Sequence, residues 1–88
     1  MSDQYVGYVL YKPVYRQGDE LVASEEPMSG EFRQNIKQVF EYHNVPYKED
    51  SSGAILIPQE IWSDRDTVWN YTSRANEPDW LKTHIPSN

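Results

Sequence analysis

Residues 29–58 read SGEFRQNIKQVFEYHNVPYKEDSSGAILIP, and this stretch decides the fold. In its first half, side chains recur at the spacing of one face of a helix: Phe32, Ile36, Val39, Phe40 and His43. Ser29 is a suitable N-cap, Asn44 can end the helix in a left-handed conformation, and Pro46 prevents its continuation. The pattern therefore predicts a helix between residues 29 and 44.

The second half of this stretch predicts a β-hairpin. Two short runs, 45–49 and 54–57, flank the turn sequence DSSG at 50–53. The second run is continuously apolar, which is typical of a buried central strand. Pro58 follows it and ends the regular pairing, because proline has no N–H to donate.

Shorter elements precede this unit. Residues 5–11 carry aromatic and branched side chains on both faces and predict a strand that is covered on both sides. Pro13 ends its regular pairing. A turn signal at 17–19 then predicts that residues 21–23 return as a short strand.

A second helix is predicted downstream, over residues 59–76, from an apolar stripe widened by two tryptophans. Its start is open between Gln59 and Asp64, since a weak capping box favours the later position. Beyond it, Trp80 and Leu81 are expected to dock a tail on the rest of the chain.

These elements predict an α+β fold with a small antiparallel sheet of three to four strands and two helices packed on one face, as a single layer pair. The 88 residues are expected to form a single domain over 1–88. Its parts are an N-terminal strand region (4–24), a helix–hairpin–helix unit (29–76) and a tail (77–88).

The helix–hairpin–helix unit contains a local motif, NVPYK at 44–48, SGAI at 52–55 and IP at 57–58. This motif resembles the ring-building motif of flagellar and type III secretion (injectisome) inner-membrane ring proteins. The resemblance implies the same fold unit, with one helix before the motif and one after it. It also implies, as one possible function, a module that self-associates into an assembly. The tyrosine-rich first strand and the tryptophan-rich tail depart from that family.

Composition narrows the classes of function. Eight Lys and Arg residues stand against 14 Asp and Glu residues, which gives a net charge of −6. Because the basic residues are scattered and outnumbered, direct binding to nucleic acid is not expected. No apolar stretch approaches the length of a membrane span, and Met1 to Gln4 lack the basic start of a signal peptide. Together with the absence of cysteine, this predicts a cytoplasmic location away from membranes.

The sequence predicts no enzyme, no cofactor and no metal. It has no Cys, no Gly-x-Ser-x-Gly elbow and no glycine-rich phosphate loop. His43 and His84, the only histidines, lack the i,i+4 spacing of a metal pair. His43 is instead expected to be a cation favoured by the C-terminal end of its helix, and His84 to lie in the tail.

The surface is expected to combine carboxylates with surplus aromatic rings. Aromatic residues make up 14% of the chain, more than a small core needs, and the surplus consists of Tyr8, Tyr11, Tyr15, Tyr47, Tyr71 and Trp80. Tyr and Trp are typical of interface hot spots. The predicted partner-binding residues lie at the hairpin tip, at the start of the second helix and on nearby rings: Tyr47, Glu49, Asp50, Asp64, Asp66, Tyr71 and Trp80.

The function expected from these features is binding without catalysis. A small acidic chain with spare aromatic rings suits an inhibitor of the immunity-protein type, which covers a basic partner such as a nuclease toxin. A phage-type anti-restriction or anti-CRISPR inhibitor would have the same composition. The other alternative is a structural module that self-associates through its helix–hairpin–helix unit. The chain is expected to be a monomer or a weak homo-oligomer.

Overall fold

A computed structural model describes residues 7–85. Along the chain, the elements are β1 (Tyr8–Leu10), β2 (Val14–Gln17), β3 (Glu20–Ala23), α1 (Gly30–Tyr42), β4 (Lys48–Glu49), β5 (Ile55–Pro58), α2 (Gln59–Ser63), α3 (Arg65–Ala75) and α4 (Pro78–His84). Residues 5 and 6 of the predicted first strand, and residues 86–88 of the predicted tail, lie outside the described range.

The strands form two antiparallel sheets, in agreement with the predicted α+β fold. One sheet has the order β1-β5-β4, so the apolar strand of the hairpin is central, as its sequence predicts. Pairing with β5 extends to the Tyr11 N–H, which donates to the Ile55 carbonyl over 2.8 Å, and it ends before Pro13. After Pro13 the chain forms the separate β2–β3 ribbon. The strand β2 was not predicted, because its four residues alternate too briefly to give a signal.

Helix α1 begins as its sequence predicts. The Ser29 side chain is the N-cap and accepts a hydrogen bond from the Phe32 N–H at 3.1 Å. Four residues of the predicted apolar face are buried: Phe32, Ile36, Val39 and Phe40. The local chemistry of capping and periodicity is therefore sufficient to define this element.

The predicted second helix is two helices. Asp64 leaves the helical conformation, with φ −90° and ψ 86°, and its carboxylate accepts a hydrogen bond from the Thr67 N–H at 3.3 Å. Asp64 thus ends the short helix α2 and caps α3, so both of the candidate starts are used. The predicted docked tail is also a helix, α4, which begins with Pro78 in its first turn. The described residues contain four helices where two were expected.

The core lies between α1, α3 and the two sheets. Helix α1 packs against α3, α3 packs against the ribbon, and α2 packs against β5 and β1. The buried apolar residues are Tyr11, Val14, Phe32, Ile36, Val39, Phe40, Val45, Ile55, Ile57, Val68 and Ala75. Tyr11 was predicted to be a surplus ring, but only 1% of it is exposed. No helix within residues 7–85 is long and apolar enough to cross a membrane.

Candidate partner-binding surface

The end of α1 determines which rings reach the surface. The Val45 N–H donates to the Phe40 carbonyl at 2.8 Å and the Asn44 N–H donates to the Glu41 carbonyl at 3.2 Å, which is the Schellman pattern. Asn44 adopts the required left-handed conformation, with φ 59°, as predicted. Phe40 and Val45 are buried on either side of this turn, so Tyr42 and His43 between them face solvent.

Helix α4 brings two more rings to this place. His84 follows Trp80 by four residues, and the two rings are stacked with centroids 4.4 Å apart at an angle of 12°. The Nδ1 atom of His84 also lies 3.0 Å from the Trp80 carbonyl oxygen, which holds the imidazole against its own helix. The ring of His43 is nearly parallel to that of Trp80, at 6.0 Å and 20°.

Two tyrosines complete the group. The Tyr42 ring meets His43, Trp80 and His84 edge-on, at centroid distances of 5.1, 5.3 and 5.6 Å. Tyr71 of α3 lies 5.0 Å from His43. Edge-to-face and stacked geometries are the favourable ones for aromatic pairs. We call these five residues, Tyr42, His43, Tyr71, Trp80 and His84, the aromatic cluster; Tyr71 and Trp80 are half-buried and the others are exposed.

The core residue Phe40 connects the aromatic cluster to Tyr47, which is hydrogen-bonded to the carboxylate of Glu41. The buried ring of Phe40 lies 5.8 Å from Tyr71 and 6.0 Å from Tyr47. The Tyr47 hydroxyl donates to the Glu41 carboxylate over 2.6 Å. Burial, this hydrogen bond, and the charges of Glu41 and Glu49 raise the pKa of Tyr47 to about 12, so its hydroxyl keeps its proton.

Cations are largely engaged within the protein itself. Lys12, Lys37 and Arg74 form ion pairs with Glu25, Glu49 and Glu77 over 2.9, 3.2 and 3.4 Å. Four cations lie over aromatic rings within 4.3–5.8 Å of the centroid: Arg16 over Trp69, Lys48 over Tyr8, Arg65 over Trp62, and Arg74 over Trp80.

Most carboxylates, by contrast, are left outside ion pairs. Within residues 7–85, only Glu25, Glu49 and Glu77 take part in one. The carboxylates of Glu41 and Asp64 are among those without an ion pair in this range. Glu41 is close enough to Tyr47, and Asp64 close enough to Tyr71, for its charge to raise the pKa of that tyrosine. The surface therefore presents negative charge beside exposed aromatic rings.

The structure brings together five of the seven predicted partner-binding residues. Tyr71 and Trp80 belong to the aromatic cluster, and Tyr47 joins it through Phe40. The charge of Glu49 contributes to the raised pKa of Tyr47. The pKa of Tyr71 is raised by burial and by the charge of Asp64.

The other two predicted residues stand apart from the cluster. Asp50 organises its own turn, because its carboxylate accepts hydrogen bonds from the hydroxyl and N–H of Ser52 and from the N–H of Ala54, at 2.7, 2.8 and 3.0 Å. These bonds lower the pKa of Asp50. Asp66 is exposed in the first turn of α3, and within residues 7–85 its side chain makes no hydrogen bond or ion pair with the rings.

Three members of the cluster were missed by the sequence analysis: Tyr42, His43 and His84. The i,i+4 spacing of Trp80 and His84, together with Pro78 at a favoured helix start, is a signal that could have revealed their stack. His43 was expected to be a cation, but burial, the charge of Arg74 and that of His84 all lower its pKa. Its neutral form is thus favoured, contrary to the expectation from the helix dipole.

Acidification is expected to destabilise the fold through His43. Because its pKa is lower in the folded chain than the usual 6.5, the unfolded chain binds the proton first. The stabilisation is complete above that ordinary value and is lost as the pH falls through it toward the lowered pKa. Thermal unfolding of wild type and His43→Gln at neutral and mildly acidic pH checks this, and the variant should lose less of its melting temperature.

A nuclear magnetic resonance titration of the imidazole gives a direct control. The His43 midpoint is expected below 6.5, and His84→Gln is expected to raise it, because one of the opposing charges is removed. A midpoint at or above 6.5 in wild type would contradict the arrangement of His43 beside Arg74 and His84.

Within residues 7–85, no group of three or more His, Cys, Asp and Glu side chains is placed to hold a metal ion. No protein-family model, curated protein or solved structure matches this chain.

Proposed function

We propose that this chain is a small acidic binding protein that covers a basic partner protein and inhibits it, as an immunity protein covers a nuclease toxin. The observation that carries the proposal is that most basic side chains have partners within the protein, whereas most acidic side chains do not form ion pairs within residues 7–85. The partners of these Lys and Arg residues are the protein's own carboxylates and rings. Such a surface attracts cations and offers few of its own.

The aromatic cluster supplies the second element that an inhibitor needs. Opposite charges raise the rate of association, but slow release depends on well-packed anchors that lose their water. Tyr42 is 48% exposed and Trp80 is half-buried, and each is held by neighbouring rings. Preorganised Tyr and Trp side chains bind at low cost in conformational entropy. The cluster is therefore the proposed anchor, and Glu41 and Asp64, which take part in no ion pair within residues 7–85, supply the proposed steering charges.

Affinity capture with matched variants tests the proposal. The immobilised chain is exposed to an extract of the source organism, and the captured protein is identified, purified and measured against the Tyr42→Ala/Trp80→Ala double variant. A basic partner is expected, with affinity reduced about 30-fold or more by the double variant. Val22→Thr is the control, because it changes an exposed apolar residue of the β2–β3 ribbon, outside the cluster. Both variants must remain folded at the temperature of the binding measurement, which circular dichroism checks.

Three results would overturn the proposal. The partner could be neutral or acidic, its association rate could be unaffected when salt rises from about 0.05 to 0.5 M, or the cluster variant could bind as tightly as the control. The identity of a basic partner separates a nuclease toxin from a restriction or CRISPR component. Light scattering that showed rings of this chain alone would instead favour the self-assembling module that the ring-building resemblance implies.

A further inference from the structure

A groove runs along the linker between β3 and α1, and none of its lining residues belongs to the aromatic cluster. It consists of two cavities of about 360 and 220 Å³ that share Ser29, Phe32 and Asn76. The larger cavity extends to Tyr15 and Glu26, and the smaller one extends to Glu31, Asn35 and Pro78. We call it the linker groove.

Four residues that line the linker groove offer oxygen acceptors: Asn35, Asn76, Glu26 and Glu31. The Asn35 amide donates through Nδ2 to the Ala75 carbonyl at 3.3 Å, and the Asn76 amide donates through Nδ2 to the Thr72 carbonyl at 3.2 Å. Each amide thus uses one N–H on the backbone of α3, and its oxygen accepts no hydrogen bond within residues 7–85. Glu26 and Glu31 add two carboxylates that, in the part of the chain that the structure describes, take part in no ion pair.

The ends of the two helices at the groove also favour a cation over an anion. The last turn of α3 ends at the groove, where the carbonyls of Thr72 and Ala75 accept from the amides of Asn76 and Asn35, and the negative end of the helix dipole stabilises positive charge. At the start of α1, the Phe32 N–H is already taken by Ser29 Oγ, and Glu31 places a negative charge in the first turn. The anion-binding character of that terminus is thereby offset.

The walls of the groove are suited to a planar cation. Tyr15 is 42% exposed and lines the larger cavity, and Phe32 lines both cavities. A guanidinium stacks on aromatic rings and presents several N–H donors in one plane. A lysine ammonium has neither the plane nor the fork of donors.

We infer that the linker groove binds an arginine side chain of a partner protein, with the guanidinium against Tyr15 in the larger cavity, which Glu26 and Asn76 also line. Glu31 and Asn35 line the adjoining smaller cavity and add negative potential to the same groove. The inference rests on the proposed function, since it needs a basic partner, and it adds a second point of attachment beside the aromatic cluster. Arginine is favoured over lysine because aromatic rings and oxygen acceptors line the same groove.

A peptide titration tests the inference without the natural partner. The isotope-labelled chain is titrated at neutral pH with a capped Gly-Arg-Gly peptide, and amide shifts are followed by nuclear magnetic resonance. The matched control is the same peptide with citrulline, which keeps the shape and loses the charge. Shifts at the amides of Phe32, Asn35 and Asn76 are expected with the arginine peptide, and weaker or absent shifts with citrulline.

Charge variants locate the contact. Glu31→Gln and Glu26→Gln are each expected to weaken arginine-peptide binding about two- to five-fold, the range for one exposed ion pair. Glu60→Gln makes the same change in net charge on α2, lines neither cavity, and is expected to leave binding unchanged. Equal effects of all three variants would show a long-range field instead of a local contact, and would overturn the inference.

The other outcomes separate this inference from the proposed function. Shifts confined to Tyr42, Trp80 and their neighbours would overturn the groove as the arginine site and leave the basic partner in place. Shifts of the groove amides by inorganic phosphate, and not by the peptide, would overturn it in favour of an anion site. The absence of any shift with the arginine peptide would also overturn it, while the capture experiment would still decide the proposed function.

Discussion

Phe40→Ala is expected to lower the free energy of unfolding by about 3–5 kcal/mol. The side chain is fully buried, and its ring is in contact with three others: Tyr11 at 5.3 Å, Tyr71 at 5.8 Å and Tyr47 at 6.0 Å. Truncation removes the apolar area of one ring and leaves a cavity that three large neighbours cannot fill without losing their own contacts. For a small domain with about 5–15 kcal/mol of total stability, this is a large fraction.

Urea unfolding followed by tryptophan fluorescence measures this effect. The midpoint should fall while the slope stays close to that of wild type, which indicates a change in stability and not in the surface exposed. Phe40→Leu is the matched control, because it keeps an apolar side chain of intermediate volume and should lose clearly less. A loss below about 1 kcal/mol for Phe40→Ala would contradict its central place in the packing.

Phe40 also connects stability to the proposed surface. The rings of Tyr47 and Tyr71 both lie against the Phe40 ring. A folded Phe40→Leu variant is therefore expected to alter the ring-current shifts of both tyrosines. Weaker partner binding by that variant, with the exposed surface otherwise unchanged, would show that the core positions the rings.

Features that depend on neighbouring residues were predictable from the sequence. The Ser29 cap, the left-handed Asn44, the turn at 50–53 and the apolar strand β5 all follow from local chemistry, and the structure has each of them. Their determinants lie within a few residues of one another. Local interactions of this kind are what a single sequence displays directly.

Features that depend on distant residues were not predictable. Helix α4 has only seven residues, too few to be stable alone, and it is held by packing on α1 and α3. The aromatic cluster draws its rings from three helices, so no single window of sequence contains it. The lowered pKa of His43 was missed for the same reason, since burial and the charges of Arg74 and His84, which come from other elements, all disfavour its protonated form.

The burial of Tyr11 is a feature that could not be predicted from the sequence. Tyr11 stands at the end of the predicted first strand, two residues before Pro13, and was counted among the rings that exceed what a small core needs. Its hydroxyl is nevertheless buried, because Thr72 supplies a partner from 61 residues away along the chain. A buried hydroxyl is tolerated when its hydrogen bond is made, and the sequence alone does not show which residue makes it.

Thr72→Val is expected to cost about 2–4 kcal/mol, although the two side chains have nearly the same shape. The Thr72 Oγ1 atom lies 2.7 Å from the Tyr11 hydroxyl and accepts a hydrogen bond from the Val14 N–H at 3.3 Å. All three residues are almost fully buried, so no water can replace the lost hydroxyl. The substitution therefore leaves two polar groups without a partner, at about 1–3 kcal/mol each, partly offset by the added methyl group.

Thr72→Ser separates the hydroxyl from the methyl group. It keeps both hydrogen bonds and removes about one buried carbon, so a loss near 1 kcal/mol is expected. The ordering of the two variants is the decisive result: valine must be worse than serine. If Thr72→Val were as stable as wild type, the hydroxyl would not be the shared partner of Tyr11 and Val14.

A double-mutant cycle with Tyr11→Phe isolates the hydrogen bond between the two side chains. In wild type, Tyr11→Phe removes one partner of Thr72 and is expected to destabilise the fold; in the Thr72→Val background, it removes a hydroxyl that is already unpartnered, so it should cost less or stabilise. A coupling free energy of about 0.5–3 kcal/mol is expected for groups in direct contact.

Burial also raises the pKa of Tyr11, so the unfolded chain loses its phenolic proton first above about pH 10 and stability falls with rising pH. That alkaline loss should be smaller in Tyr11→Phe, and the remainder is expected from Tyr47 and Tyr71, whose pKa values are also raised. An undiminished loss in Tyr11→Phe would exclude Tyr11 as a contributor.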